Sequence, residues 1–406
     1  MKKLRIGILT FHRSINYGAV MQCYALQQKI KKDFPDDIVE VIDYIPQDRY
    51  NFYQPTLKNF LFSNWRFISS PLVRAKSTIG KITHLKNLAH IKKRYDVFQQ
   101  SLDCLKMSKE FHCTDDPETF REEIKGKYDI IVVGSDCVWE WSILGIPSVY
   151  FLHGDFNAHK LSYAACSAVN DFRDLNSNQQ DYLRQSFDSY DYIGVRDSAT
   201  AFNAESLTTN KTIYRNCDPT TLIDPSTLEV HRQRLKERLS SKGIDWSRPV
   251  IGLMCNDIIS QLAYDIFGDS VQYVGVYNPI RHANIFMEDL KVLEWASIFG
   301  LFSLTFTTFF HGTMLSLVNR TPVLSFDYYK GDETHLSKIN ELYKRLELPD
   351  YYHKGKRTYN KADVESIGHI AQRLLNTPQA ELINKKIRIE AESYCSFREA
   401  LEGLHH

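Results

Sequence analysis

The chain has 406 residues, of which 43% are hydrophobic and 24% charged, a composition typical of a two-domain enzyme in solution. Its 50 basic side chains nearly balance 49 acidic ones, which argues against nucleic acid as a partner. The eight cysteines include no C-x-x-C pair, so we expect reduced thiols and no metal site. The amino terminus runs directly into a predicted strand without a signal sequence, and a cytoplasmic location is expected.

The first elements of the chain predict a parallel sheet. Residues 6–10 form a short β-rich run, residues 19–30 carry apolar side chains at helical spacing, and residues 39–43 form a second predicted strand. Such a β–α–β opening is typical of a sheet covered by helices. Further strands are predicted at residues 128–133, 161–168, 192–195 and 212–217. We therefore expect an amino-terminal Rossmann-like domain over residues 1–227.

A second set of alternating elements follows. A charged helix at residues 228–242 stops at Gly243 and separates the first domain from one at residues 245–378. Predicted strands of this second domain lie at residues 249–254, 272–276, 301–307 and 322–326. The pattern predicts an α/β protein with two Rossmann-like domains facing a cleft. Residues 379–406 have helical composition and are expected to pack back on the amino-terminal domain.

An insertion at residues 57–97 differs from the rest of the first domain. It contains nine Lys or Arg residues against one acid, Asp96, interleaved with aromatic side chains. Anionic lipid attracts such segments by about 1 kcal/mol per basic residue, and aromatic rings can enter the lipid interface. The alternative is a solvated helical hairpin with a basic outer face. Peripheral contact with membrane lipid or polyprenyl phosphate and this second interpretation both stay open.

His311 occupies a position where a predicted strand turns directly into a helix. In open α/β sheets, ligands bind at the carboxyl ends of strands, and the next helix offers free N–H groups, here those of Gly312 and Thr313, to an anion. Imidazole has a pKa of about 6.5, and a bound anion raises it, so His311 is a candidate proton donor. The alternative is a core histidine bonded to a backbone carbonyl.

Two cations follow predicted strands of the two domains. Arg196 comes directly after the strand at residues 192–195, where a guanidinium can bind a carboxylate or phosphate through two hydrogen bonds. Its alternative is an ion pair with Asp197 or another surface acid. Lys330 follows the strand at residues 322–326, on the sheet edge that also carries His311 if consecutive strands are neighbours.

Two loops of the first domain carry candidate ligand-binding residues. Asn16, Tyr17 and Gly18 lie between the first strand and the first helix, without the G-x-G-x-x-G pattern of a dinucleotide site. Asp136 and Trp139 follow a later strand and bring an acid and an aromatic face together, as sugar sites often do. The alternative role for Asp136 is to cap a helix or turn.

Several short motifs, taken in order, resemble the polysaccharide pyruvyl transferase family. Each is weak alone, but their order and spacing are specific, and the resemblance runs from about residue 3 to residue 350. The motifs are IGILTFH at 6–12, NYGAVMQ at 16–22, VGSDCVW at 133–139, SYAA at 162–165, VRD at 195–197, DPT at 218–220 and FHG at 310–312.

The resemblance implies a GT-B-type fold and a reaction. The best understood members of the family move the enolpyruvyl unit of phosphoenolpyruvate onto two hydroxyls of one sugar, which forms a cyclic pyruvate ketal. By this resemblance His311 is the general acid, and Arg196 and Lys330 hold phosphoenolpyruvate, the only co-substrate. The acceptor would be a sugar of a surface glycan or of its lipid-linked precursor, which is consistent with work at the inner face of the membrane.

The chain also departs from the family pattern. Some members carry an arginine where this chain has Phe309, so Arg196 or Arg281 would have to compensate. The family often has glutamine and asparagine where this chain has Cys137 and Glu140, a change that alters acceptor contacts or supplies a base. Two other functions remain open: a GT-B glycosyltransferase that uses a nucleotide sugar, and a non-catalytic glycan-binding or assembly protein.

Overall fold

The protein is described from a computed structural model. The structure describes residues 3–62, 70–71, 73–74, 78, 86–168, 170–208, 210–276, 279–329 and 337–405. Lys330 and most of the centre of the basic insertion lie outside the described residues. None of the helices in these segments is long and apolar enough to cross a membrane.

A parallel sheet organises the amino-terminal half. Within the described residues its seven strands are β1 (Arg5–Leu9), β2 (Ile38–Ile45), β3 (Met107–Cys113), β4 (Ile130–Val133), β5 (His159–Ala165), β6 (Tyr192–Val195) and β7 (Ile213–Arg215). The order is β3-β2-β1-β4-β5-β6-β7, and all neighbours are parallel. Ile6 on β1 lies opposite Val39 on one side and Ile130 on the other. From β1 the chain adds β2 and β3 on one side and then β4 to β7 on the other. This reversal of strand order leaves a crevice at the carboxyl ends of β1 and β4.

A second parallel sheet organises the carboxyl-terminal half. Its six strands in the described segments are β8 (Val250–Met254), β9 (Gln272–Gly275), β10 (Ile285–Phe286), β11 (Leu304–Thr307), β12 (Val323–Asp327) and β13 (Tyr352–Lys354). Their order is β10-β9-β8-β11-β12-β13. All residues of β8, β11 and β12 are buried, as expected for a parallel sheet with helices on both faces.

Helices cover both sheets. In the described segments they are Tyr17–Asp33, Gln47–Tyr53, Leu57–Phe62, Lys86–Ser101, Pro117–Ile124, Trp141–Leu144, Ser177–Asp188, Ser198–Leu207, Pro225–Ser241, Asp257–Phe267, Val292–Ile298, Phe310–Val318, Lys338–Leu346, Lys361–Asn376, Ala380–Ala391 and Cys395–Gly403. The helix predicted between the domains is Pro225–Ser241, and it packs on Val292–Ile298 of the second domain.

The predicted α/β fold with two Rossmann-like domains is confirmed. The sequence did not reveal β3, β10 and β13, which all lie at sheet edges. Edge strands bury only part of their surface, so they lack the continuous apolar run that marks a central strand. In β3, three consecutive residues from Lys109 to Phe111 are exposed.

The last residues of the chain run from one domain to the other. They form two helices rather than one. Ile383 and Ile387 of the first helix are buried in the core of the second domain. Phe397 and Leu401 of the second helix are fully buried against the first sheet, in a cluster with Ile6.

Candidate active site

The carboxyl ends of the two sheets face each other across a cavity of about 840 Å³. The first domain contributes the loops after β1, β4 and β5 and the helix Ser198–Leu207. The second contributes the turn after β11, the end of β12 and the start of the helix Lys338–Leu346. Polar lining residues include Asn16, Asp136, Glu140, His311 and Lys338. Aromatic side chains, among them Phe202 and Phe309, line other parts of the wall. This cavity between the two domains is the candidate active site.

His311 lies where the domains touch. It is the second residue of the helix Phe310–Val318, which follows β11 and has no side-chain cap at its amino end. Its side chain is largely buried, and Nδ1 has no hydrogen-bond partner in the described part of the chain. A Cβ at Gly18 would overlap the imidazole, so a glycine at this point lets the first helix of the other domain approach the ring. The structure therefore does not show the core histidine bonded to a carbonyl.

The environment of His311 favours the neutral imidazole. Burial lowers its pKa, and the positive charges of Lys338 and Arg196 act in the same direction, while Asp218 and Asp136 oppose them. The start of a helix also disfavours an imidazolium because its N–H groups carry partial positive charge. An anionic ligand beside the ring would shift the balance towards the protonated form. His311 is thus able to bind a proton when an anion occupies the cavity.

Asp136 faces the imidazole from the first domain. It follows β4 with a φ of 77°, and its carboxylate accepts a hydrogen bond of 2.9 Å from the backbone N–H of Cys137. Burial raises the pKa of Asp136, but the charges of Arg196, Lys338 and His311 outweigh this effect, and the net shift is downward. Asp136 is therefore an ionised group that stabilises positive charge in the cavity.

The pKa of Glu140 shifts in the opposite direction to that of Asp136. Burial raises the pKa of its carboxyl, the charge of Asp136 adds to this rise, and Lys338 and Arg49 oppose it. It lines the cavity one short turn beyond Asp136. A carboxylate with a raised pKa is a better proton acceptor than one with an ordinary pKa. Of the two acids in this loop, Glu140 is the better candidate for a general base.

Arg196 is not exposed to the cavity. Its side chain is 2% exposed, and Nη1 donates to the buried carboxylate of Asp218 over 3.2 Å. The guanidinium lies 5.2 Å from the ring centroid of Phe310, while Nε has no hydrogen-bond partner among the described residues. The ion pair that it makes is therefore with a buried acid rather than with Asp197 or a surface acid. Arg196 acts on the cavity through its charge, from behind Phe310.

Lys338 is the cation that the sequence analysis missed. It begins the helix Lys338–Leu346, lines the cavity, and places Nζ 5.3 Å from the ring centroid of Phe310. Its charge acts on the pKa values of His311, Asp136 and Glu140. The available signal was its place at the first helix after β12, close in sequence to Lys330, which lies outside the described residues.

Several other expected site residues lie elsewhere. Trp139 is fully buried, and its indole N–H donates to the carbonyl of Tyr150 over 3.2 Å, so it belongs to the core and cannot contact an acceptor. Tyr17 stacks on Phe98 with ring centroids 6.0 Å apart, outside the lining of the main cavity. Arg281 also lies outside this lining, and its backbone N–H donates to the carboxylate of Asp257 over 3.0 Å.

The anion-binding amides also differ from the expectation. The backbone N–H of Thr313 donates to the carbonyl of Phe309 over 3.1 Å and is therefore already used. Gly312 packs against Thr307, where a Cβ would overlap the hydroxyl. The residues of this turn at the cavity wall are Thr308, Phe309, Phe310 and His311. Any anion at this helix start would lie nearer His311 than Thr313.

The comparisons agree with this architecture. A protein described as a UDP-N-acetylglucosamine 2-epimerase aligns with a TM-score of 0.54 at 12% identity, covering 100% of this chain and 96% of its own. A Listeria monocytogenes protein assigned to the same epimerases aligns with a TM-score of 0.53 at 10% identity, covering 99% and 96%. At such identities the likeness defines the fold, a GT-B-type pair of α/β domains.

The family follows from the sequence. The profile of the polysaccharide pyruvyl transferase family matches residues 16–330. The chain belongs to this family, and it is an enzyme of the transferase class. None of the curated proteins compared with the chain matches it.

Proposed function

We propose that the protein transfers pyruvate from phosphoenolpyruvate to two hydroxyls of one sugar and so forms a cyclic ketal in a surface polysaccharide or its lipid-linked precursor. The observation that carries the proposal is the Nδ1 of buried His311, which has no hydrogen-bond partner among the described residues. It lies at the contact between the domains, in a cavity that also contains a lysine and two acids. Membership of the pyruvyl transferase family supports a glycan acceptor.

The reaction needs one proton donor and one proton acceptor. His311 protonates the methylene carbon of phosphoenolpyruvate, and C2 becomes an oxocarbenium-like centre. The first sugar hydroxyl bonds to C2 and gives its proton to Glu140. The bond between C2 and the phosphate oxygen then breaks, and the leaving phosphate takes the proton from Glu140. The second hydroxyl bonds to C2, which closes the ring, and returns its proton to His311. The proton of the second hydroxyl thus replaces the one that His311 gave to the methyl group, and the proton of the first hydroxyl leaves with phosphate.

The donor is an anion, and the site offers positive charge on one side. In our proposal its carboxylate and phosphate lie against Lys338 and the start of the helix Phe310–Val318, with the charge of Arg196 behind Phe310. Asp136 stabilises the imidazolium once the proton is bound. A role for Lys330 in donor binding stays a prediction.

The experiment that tests the function measures the product. Purified protein is incubated with phosphoenolpyruvate and nitrophenyl or lipid-linked sugars, and ketal and phosphate are quantified by mass spectrometry and a phosphate assay. We expect equal amounts of both products from the wild type. Release of phosphate without a ketal in any sugar mixture would contradict the proposal.

A second function is favoured by the size of the cavity. At about 840 Å³, with Phe202 and Phe309 in its wall, it has room for a nucleotide base as well as a sugar. A glycosyltransferase that uses a nucleotide sugar would be protected against thermal unfolding by uridine diphosphate. The pyruvyl transferase would be protected by phosphoenolpyruvate.

The basic insertion supports a place at the membrane. Its described ends are helices Leu57–Phe62 and Lys86–Ser101, and the exposed side chains on them include Leu57. We propose peripheral contact between this insertion and anionic lipid at the inner face of the membrane. Cosedimentation with phosphatidylglycerol vesicles, but not with phosphatidylcholine vesicles, is the expected result. Equal binding to both would contradict it.

A further inference from the structure

A second cavity, which we call the side cavity, adjoins the candidate active site. Its volume is about 310 Å³, and it shares Asn16, Asp136, Cys137, Glu140 and Lys338 with the main cavity. The rest of its wall comes from the first domain, from the loops after β1 and β2 and the turn beyond Glu140. The two cavities therefore meet at the acids and at Lys338.

The side cavity has the lining of a sugar site. Phe11 and Tyr53 place partly exposed rings in its wall, and the buried Tyr150 supports Phe11 edge-to-face with ring centroids 4.9 Å apart. Aromatic faces pack on the apolar faces of pyranose rings, while Asn16 and Glu140 offer polar groups to hydroxyls. The volume is at the small end of ligand sites, about 300 Å³, and suits a single sugar residue.

The side cavity also contains two arginines with different environments. Arg13 donates to Asp43 through Nε and through Nη2, the latter over 2.6 Å. Although burial raises the pKa of Asp43, the bonds from Arg13 and His12 lower it to about 2. Arg13 is therefore neutralised by an ionised partner within the protein.

Arg49 has no such partner in the described part of the chain. It lies on the helix Gln47–Tyr53, and Nη2 donates to the carbonyl of Ile143 over 3.3 Å. Among the residues that the structure describes, no carboxylate lies within 4.0 Å of this guanidinium. A guanidinium has five N–H donors, so most of those of Arg49 point to a ligand or to water. Arg49 is thus a positive charge of the side cavity that no described carboxylate pairs with, although its charge acts on Glu140 across the cavity.

We propose that the side cavity is the acceptor site and that it holds one sugar residue whose anionic substituent, a phosphate ester or a carboxylate, binds Arg49. The hydroxyls of this sugar then point to Glu140 and the main cavity, where the donor lies. The use of the site for ketal formation rests on the proposed function, but the binding of an acidic sugar does not. Arg49 is the residue that distinguishes acidic from neutral acceptors.

Binding of small sugars tests the inference. Glucose 1-phosphate, glucuronate and methyl glucoside are titrated against the wild type, with dissociation constants from ligand-observed NMR. At least one of the acidic sugars is expected to bind about tenfold or more tightly than methyl glucoside, since charge-assisted hydrogen bonds are the stronger ones. Preference for the first indicates a phosphate-linked acceptor, and preference for the second indicates a uronic acid.

Variants assign the effect to Arg49. Arg49→Gln is expected to remove the preference, and Arg49→Lys to retain part of it. Arg184→Gln, at a surface arginine that bonds Asp181, is the control and should bind as the wild type. Equal binding of acidic and neutral sugars, or full preference in Arg49→Gln, would overturn the inference.

Binding of phosphoenolpyruvate is measured in the same samples. Acidic-sugar preference without phosphoenolpyruvate binding would keep the acceptor site and contradict the pyruvyl transfer. Binding of phosphoenolpyruvate without a preference for acidic sugars would contradict the acceptor site and leave the proposed pyruvyl transfer standing.

Discussion

At the scale of single residues, the site depends on how the environment sets three protonation states. Burial and nearby positive charges lower the pKa of His311, whereas burial raises that of Glu140. Although burial raises the pKa of Asp136, the cations around this carboxylate lower it overall and keep it ionised. These surroundings favour the neutral imidazole, and an anionic donor brings the negative charge that stabilises a proton on His311.

Replacing His311 tests the proton donor. His311→Gln is expected to lower ketal formation about 100-fold or more, because an amide cannot deliver the proton. Binding of phosphoenolpyruvate should change much less, and thermal unfolding should show an intact fold. Ketal formation at the wild-type rate would contradict the role of His311.

Glu140 should determine the acidic limb of the pH profile. As a base it must be ionised, so kcat/KM is expected to fall as the pH drops through its raised pKa. Glu140→Gln should lower the rate and remove this limb. Asp174→Asn, at an exposed acid outside the cavity, is the control. A profile that keeps the same limb in Glu140→Gln would assign it to another group.

Gly18 tests the close approach of the domains. Gly18→Ala should favour the helix by about 1 kcal/mol on propensity alone. The added Cβ overlaps the imidazole of His311, so we expect lost activity and a lower unfolding temperature instead. Gly403→Ala, whose Cβ meets no atom within 4 Å, is the control. An active and more stable Gly18→Ala protein would contradict this geometry.

At the scale of elements, the helix Lys338–Leu346 is joined to the first domain. Both carboxylate oxygens of Glu341 accept a hydrogen bond of 3.1 Å from the N–H of Ser198, which begins the helix Ser198–Leu207. Arg215 and Arg345 also bond this carboxylate. A carboxylate at a helix amino end is favourable, and this one also fixes Lys338 one turn away.

Loss of this contact should affect stability and donor binding together. Glu341→Gln is expected to cost about 1–3 kcal/mol of unfolding free energy in urea, since its charged hydrogen bonds are lost. The KM for phosphoenolpyruvate should rise because Lys338 is less well positioned. Glu347→Gln, which removes an exposed pair with Lys386, is the control. A normal KM in a destabilised Glu341→Gln protein would separate the two effects and contradict the coupling.

At the scale of the whole molecule, the domains share an apolar cluster. Val20 and Met21 of the first helix pack in one cluster with Trp295 and Leu315 of the second domain. The end of the chain adds a second connection, because it leaves the core of the second domain and packs on the first sheet. The apolar cluster and the tail thus join the two domains in addition to the contact made by Glu341.

The final helix should contribute strongly to stability. Phe397→Ala is expected to cost about 3–5 kcal/mol, because the ring is fully buried on the first sheet. Ile389→Ala, at a side chain that is 52% exposed, should cost little. Urea unfolding measures both. Equal stability of the two variants would contradict the packing of the tail.

The central strands could be predicted from the sequence, because buried parallel strands such as β8 and β11 are nearly continuous apolar runs. It also placed His311 at a strand-to-helix turn, since that position depends only on local order along the chain. The edge strand β3 escaped prediction because three of its seven residues are exposed, which interrupts the apolar run.

Which side chains meet in the cavity depends on packing between segments that are distant in the sequence. Arg196 and Trp139 follow strands in the same manner as Asp136, but an ion pair with Asp218 and core packing turn them away from the cavity. Lys338 reaches the cavity although it follows a strand by eleven residues. The order of strands and loops along the chain determines which residues lie at the carboxyl edge of the sheet. Burial and ion pairing with distant segments determine which of these residues can contact a ligand.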